Sequence, residues 1–189
     1  VSNEAAVAND RSLSLGAAAG SLGYLALGLT LLAYGIVSTG IIHNTTVADT
    51  HALTLWVGGV ALAICGLVEF RAGSAATGTA FAGLGALWVV ASQASPSSAN
   101  AAGLFYVIWA LLALALTASQ WRGGSMLLRG VHGLFTLALV LWAIGSFAGS
   151  SGLDKTAGWV AAVAGLLSWY SATVSLGGSN WAGLSLPVR

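Results

Sequence analysis

Between Ala72 and Trp121 the chain runs fifty residues without an Asp, Glu, Lys or Arg. A helix or sheet facing water needs charged and polar residues on its outer side, so this stretch cannot form a solvated surface. Four more uncharged runs accompany it: 12–42 (31 residues, counted up to His43), 50–68 (19), 130–153 (24) and 156–188 (33). A membrane helix needs about 20 apolar residues to cross about 30 Å of hydrocarbon. The fifty-residue run therefore holds two spans, divided at Ser95-Pro96-Ser97-Ser98-Ala99-Asn100, a polar loop signal with a proline. Each remaining run holds one. The sequence predicts six helices near 15–42, 50–70, 75–94, 101–120, 128–148 and 155–176.

Composition narrows the class further. Only 6% of residues are charged and 57% are hydrophobic, against about 25% charged in a soluble domain. An ordinary cytosolic enzyme and a disordered tail are both excluded. A net charge of +1 gives no basic face for nucleic acid. The single cysteine, Cys65, rules out a disulfide framework and has no His or Cys at zinc-ligand spacing. The apolar runs are continuous rather than alternating, so the spans read as helices and not as a barrel. The expected fold is an all-α integral membrane protein of six transmembrane helices per protomer, with a terminal segment 1–11, a membrane domain 12–177 and a tail 178–189.

Six spans put both termini on one side. Arg11, Arg71, Arg122, Arg129 and Arg189 fall on that side, and only Lys155 falls opposite. This bias predicts cytoplasmic N and C termini. Val1 to Asp10 is acidic rather than basic, which speaks against a secretory signal.

Most of the 26 glycines lie inside the spans. Helices in lipid associate through close contact between small residues. Gly16 to Gly20 and Gly145 to Gly149 are GxxxG pairs, and Gly78, Ala82, Gly85 and Gly158, Ala162, Gly165 form small faces. Compact packing within one chain explains them; contact between protomers is the sharper reading, and the abundance of smooth faces in so few helices favours it.

Ionisable residues inside spans are costly and are functional candidates. Glu69 stands at the end of the second helix, as a local cap or as a mouth or proton-exchange residue. His132 is a lone histidine near the start of the fifth helix, read as a hydrogen-bonded interface residue. His43 and His51 flank a loop, and the three histidines offer no facing pair for haem. Lys155 sits beside Asp154 at a helix start, which does not suit a Schiff base. No catalytic constellation, phosphate loop, metal site or cofactor site is legible, and no enzyme is expected. Scattered hydroxyls and amides (Thr54, Thr77, Gln93, Tyr106, Thr136, Ser168, Tyr170) could line a narrow path for a small, partly polar solute.

One set of residues carries a resemblance. It comprises Gly58-Gly59, Gly66-Leu67-Val68-Glu69-Phe70, Gly73, Thr79-Ala80-Phe81 and Gly85-Ala86-Leu87-Trp88, then Leu141-Trp142-Ala143-Ile144-Gly145, Ala157-Gly158-Trp159, Tyr170 and Leu186-Pro187. In this order they resemble the acetate uptake transporter family, the group of the bacterial succinate–acetate permease, of which the chain looks like a divergent member. The Asn-Pro-Ala-Pro-Leu-Gly-Leu segment of that family reads Asn9-Asp10-Arg11-Ser12-Leu13-Ser14-Leu15 here, and a glutamine of its second helix falls on Leu62.

The resemblance implies a homohexamer in the cell inner (plasma) membrane, each protomer passing acetate or a related monocarboxylate, with proton coupling or a channel-like mode and no cofactor. It places Asn9, Ser12 and Ser14 in a vestibule and Ala18, Leu84 and Phe135 at an apolar constriction, with Trp88, Thr136 and Tyr170 beside it. Two other readings stay open: a non-transporting accessory or structural subunit that reuses the fold, and a channel for a neutral solute such as urea.

Overall fold

The computed structural model describes residues 2–121 and 125–177, with side chains from Leu15 to Trp121 and from Ser125 to Leu176. Six helices are long and apolar enough to cross a membrane. We number them α1 (Ser2–Thr39), α2 (Val47–Arg71), α3 (Ala75–Gln93), α4 (Ala99–Gln120), α5 (Met126–Ala148) and α6 (Ser151–Gly177). The count and order match the sequence reading, and no strand occurs among the described residues. Two helix starts move by more than three residues. Helix α1 begins at Ser2, so the segment expected to precede the bundle continues its first helix. Helix α6 begins four residues early, at Ser151. The tail 178–189 lies outside the described residues.

The connections are short and chemically specified. Ser98 caps α4 by accepting the Ala101 N–H at 3.2 Å, and Ser125 caps α5 through the Leu128 N–H at 3.3 Å. Gly149 ends α5 in the left-handed region (φ 62°), and the Ser150 N–H returns to the Gly145 carbonyl at 2.9 Å. Helix α2 is irregular. It opens with a 3-10 turn, Val47–Thr50, and continues through a π-helical stretch, Thr54–Ala61, before Leu62–Arg71 becomes regular. Wide π turns are rare and recur at functional sites. Here the stretch carries Gly58 and Gly59, and a Cβ on Gly58 would meet Thr30 of α1 and the Trp88 ring of α3.

Small residues join the helices in pairs. Helix α1 lies against α6, and α2 against α3, each through glycines whose missing Cβ would strike the partner's backbone. A Cβ on Gly66 would lie 2.6 Å from the Ala82 amide nitrogen, and one on Gly85 would lie 2.9 Å from the Gly59 carbonyl oxygen. Three of the four GxxxG glycines also face this chain, since a Cβ on Gly16, Gly20 or Gly145 would meet the side chain of Ala72, Glu69 or Asp154, while Gly149 is open. The faces expected to meet other protomers therefore pack within this chain. The outward side belongs to large apolar residues, above all on α4, where Leu104, Ile108, Leu111 and Leu114 are exposed. Such a surface is stable in hydrocarbon and not in water.

Candidate functional site

The bundle holds two clefts at opposite ends and a plug of large side chains between them. The terminal-side cleft, about 340 Å³, is lined by Gly20, Ser21 and Tyr24 of α1, Glu69 of α2, Ser74, Leu128 of α5, and Ser171 and Ser175 of α6. The far-side cleft, about 300 Å³, is lined by Tyr34, His51, Pro96, Phe105 and Tyr106 among others. It narrows into a neck of about 10 Å³ between Tyr34, Trp88, Phe135, Leu139 and Trp142.

Turn geometry places Glu69. Gly73 adopts φ 85°, which favours glycine, and the Ser74 N–H then reaches the Glu69 carbonyl at 2.9 Å. This fixes the last turn of α2 beside α1. Gly20 leaves room for the Glu69 carboxylate, whose Oε1 would lie 3.0 Å from a Cβ there. Glu69 is buried yet lines the cleft. The hydroxyls of Ser21 and Ser175 meet at 2.9 Å across α1 and α6. The terminal-side cleft is thus one carboxylate among several hydroxyls.

Aromatic rings build the plug. Tyr24 meets Phe81 edge-on with centroids 4.9 Å apart. Trp88 stacks on Phe135 at 5.9 Å, and Tyr34 meets both Trp88 and Trp142 edge-on at 5.4 and 5.3 Å. Tyr106 stacks on Trp142 at 5.7 Å. Phe81, Leu84, Trp88 and Phe135 are all at or below 2% exposed, so the plug is closed. Aromatic pairs of this kind add roughly 0.5–1.5 kcal/mol beyond burial.

The structure brings only part of the expected set together. Leu84, Trp88 and Phe135 share the plug. Ala18 does not join them: it is exposed, on the outward side of α1 with Leu15, Leu22 and Leu29. The helical period explains this, since those positions recur at three- and four-residue steps, while Tyr24, Leu27, Leu31 and Tyr34 turn inward. Thr136 points toward α4, with its hydroxyl 3.1 Å from that of Thr117, and lines an outer apolar groove rather than the neck. Tyr170 is half-buried on α6, and the α6 wall of the terminal-side cleft is made by Ser171 and Ser175 instead. Asn9, Ser12 and Ser14 have side chains outside the described residues. Sequence reasoning missed Tyr24, Tyr34 and Trp142, whose roles depend on rings from three helices meeting. A signal for Ser171 and Ser175 was present: two hydroxyls four residues apart share one face.

No group of His, Cys, Asp and Glu that could hold a metal ion occurs among the described residues. Two clefts divided by a closed aromatic neck suit gated passage of a small solute, not bond-making chemistry.

Comparison with known proteins agrees with this geometry. Residues 7–187 match the GPR1/FUN34/yaaH family. Curated proteins described as succinate-acetate/proton symporters, from Escherichia coli strain K12 and from Shigella flexneri, are each 24% identical over 176 residues, covering 88% of this chain and 92% of theirs. A solved structure of a bacterial acetate channel superposes with a TM-score of 0.82 at 22% identity, covering 90% of this chain and 98% of that one. These relatives are transport proteins and not enzymes.

Proposed function

The chain belongs to the GPR1/FUN34/yaaH family, and from that premise we propose that it is a membrane transporter or channel for acetate or a related short-chain carboxylate, with one pathway in each protomer. The observation that carries the reading is the pair of opposed clefts joined through a closed aromatic neck. The names of the relatives, acetate channel and succinate-acetate/proton symporter, supply the substrate class.

A bare carboxylate loses its hydration on entering an apolar neck, at a cost of several kcal/mol or more. Passage as the neutral acid removes most of that penalty. The hydroxyls of Ser21, Ser171 and Ser175 replace water around the solute in the terminal-side cleft. Glu69, in the same cleft, exchanges a proton with it. The plug must yield for passage, and the Trp88–Phe135 stack lines its neck. Proton coupling follows from carrying the acid in its neutral form.

The excess of arginine on the terminal side favours cytoplasmic termini, and the family resemblance favours the plasma membrane. The protein works as a homo-oligomer, a hexamer on the family resemblance, with the exposed leucines of α4 available to a second copy or to lipid.

Purified protein in liposomes tests the reading. Labelled acetate should enter protein-containing vesicles faster than empty ones, and unlabelled short carboxylates should compete where urea does not. Vesicles no leakier to acetate than controls would reject it.

A further inference from the structure

His132 is fully buried on α5, and its Nε2 has no hydrogen-bond partner. Buried polar atoms are nearly always paired, so an orphan calls for a reason. Its place on the helix supplies one. Leu128, His132, Phe135 and Leu139 recur at steps of four, three and four, which puts them on one stripe of α5. Leu128 lines the terminal-side cleft, while Phe135 and Leu139 line the neck. His132 therefore stands between them on the same stripe, buried and lining neither cavity, one turn before the Phe135 ring.

The ring's other nitrogen settles its chemistry. Nδ1 lies 2.9 Å from the Leu128 carbonyl oxygen. A carbonyl only accepts, so Nδ1 carries the proton, and in the neutral imidazole Nε2 presents a lone pair. Trp88 holds the second orphan, an indole N–H that can only donate, on the ring stacked against Phe135. An unpaired acceptor and an unpaired donor thus flank the gate. An undissociated carboxylic acid has one O–H to give and one carbonyl to receive. A carboxylate, which accepts only, satisfies Trp88 and not this form of His132.

We propose that His132 is a binding station for the undissociated form of the transported monocarboxylic acid, accepting its O–H at Nε2 before the acid passes Phe135. No covalent bond changes at this station, and the acid leaves His132 with the proton it carried in. The proposal rests on the transport reading above and names the residue that selects the protonated solute.

Two measurements test it. In liposomes, wild-type protein and the His132→Phe and His132→Gln variants are compared for labelled acetate uptake. His132→Phe keeps a planar ring and removes the acceptor; uptake should fall about tenfold, the worth of one hydrogen bond of about 1.4 kcal/mol. His132→Gln, which restores an acceptor oxygen, should recover part of it. Acetate uptake by His132→Phe at the wild-type rate overturns the station and leaves the transport reading standing, whereas an inert wild type overturns both. The second measurement needs no variant. In wild-type protein labelled with ¹⁵N-histidine, acetic acid should shift the His132 Nε2 resonance and methanesulfonate, of similar size and fully ionised, should not. Equal shifts with both, or none with acetic acid, overturn the proposal.

Discussion

Gly28 and Gly165 touch backbone to backbone: a Cβ on Gly28 would lie 2.9 Å from the Gly165 carbonyl oxygen, and one on Gly165 would lie 2.8 Å from that of Gly28. Seven residues along, Gly35 and Gly158 repeat the relationship at 2.7 Å in each direction. Two glycines at heptad spacing on each of two antiparallel helices let α1 and α6 approach over their length. In lipid, where apolar burial gives helices little reason to associate, this contact holds the bundle together.

Gly165→Val should therefore push α6 from α1. Overpacking of this kind costs about 1–3 kcal/mol, read as a lower thermal midpoint in detergent. Gly152→Ala is the contrast. Gly152 has an ordinary helical φ and only the Ser150 hydroxyl, at 3.9 Å, near its Cβ position. That change should be neutral or stabilising by up to about 1 kcal/mol. Equal loss in both variants would show that the glycine contact is not what holds the pair.

Phe135 is 1% exposed and stacks on Trp88 at the neck. Phe135→Ala leaves a ring-sized gap there, with a stability cost of roughly 3–5 kcal/mol if the site does not collapse. Acetate flux into liposomes should rise, and discrimination against larger carboxylates should fall. Leu111→Ala, on the exposed side of α4, should change neither. An unchanged flux in Phe135→Ala would remove Phe135 from the gate.

The spans were legible because uncharged runs and membrane thickness leave few alternatives: the gap from Ala72 to Trp121 fixes two helices and the Ser95–Asn100 break between them. The π-helical stretch Thr54–Ala61 was not, since backbone widening has no composition signal beyond Gly58 and Gly59. At the site, Leu84, Trp88 and Phe135 were grouped through the resemblance, and the structure packs them in one cluster. Ala18 was placed by the same route, and the rotation of α1 sends it outward, with Tyr24 and Tyr34 on the inward face. Glycine faces misled differently. A small-residue stripe says that a helix packs closely but not against what, and here the partner is the same chain.

Cys65, the single cysteine, is 3% exposed, which makes the chain suited to cysteine labelling. Ser97→Cys lies in the loop between α3 and α4, at the end opposite the termini. In intact cells a membrane-impermeant maleimide should label Ser97→Cys and leave the parent unlabelled. A cysteine at Ala76, exposed at the start of α3, should react only after the cells are opened. The reverse pattern would place the termini outside.

The Tyr34 and Tyr106 hydroxyls meet at 3.2 Å and join α1 to α4 where the far-side cleft narrows. Both rings are also held by Trp142, edge-on for Tyr34 and stacked for Tyr106. Phenylalanine at either position keeps the ring and removes one oxygen. Each single change strands the other hydroxyl, costing about 1 kcal/mol, while the double change strands nothing. Tyr34→Phe and Tyr106→Phe should each lower the thermal midpoint, and the double variant should be no worse than either. The cycle should give a coupling of about 0.5–1.5 kcal/mol. Additive losses would mean that each hydroxyl bonds elsewhere, and that α4 is held at the neck by its rings alone.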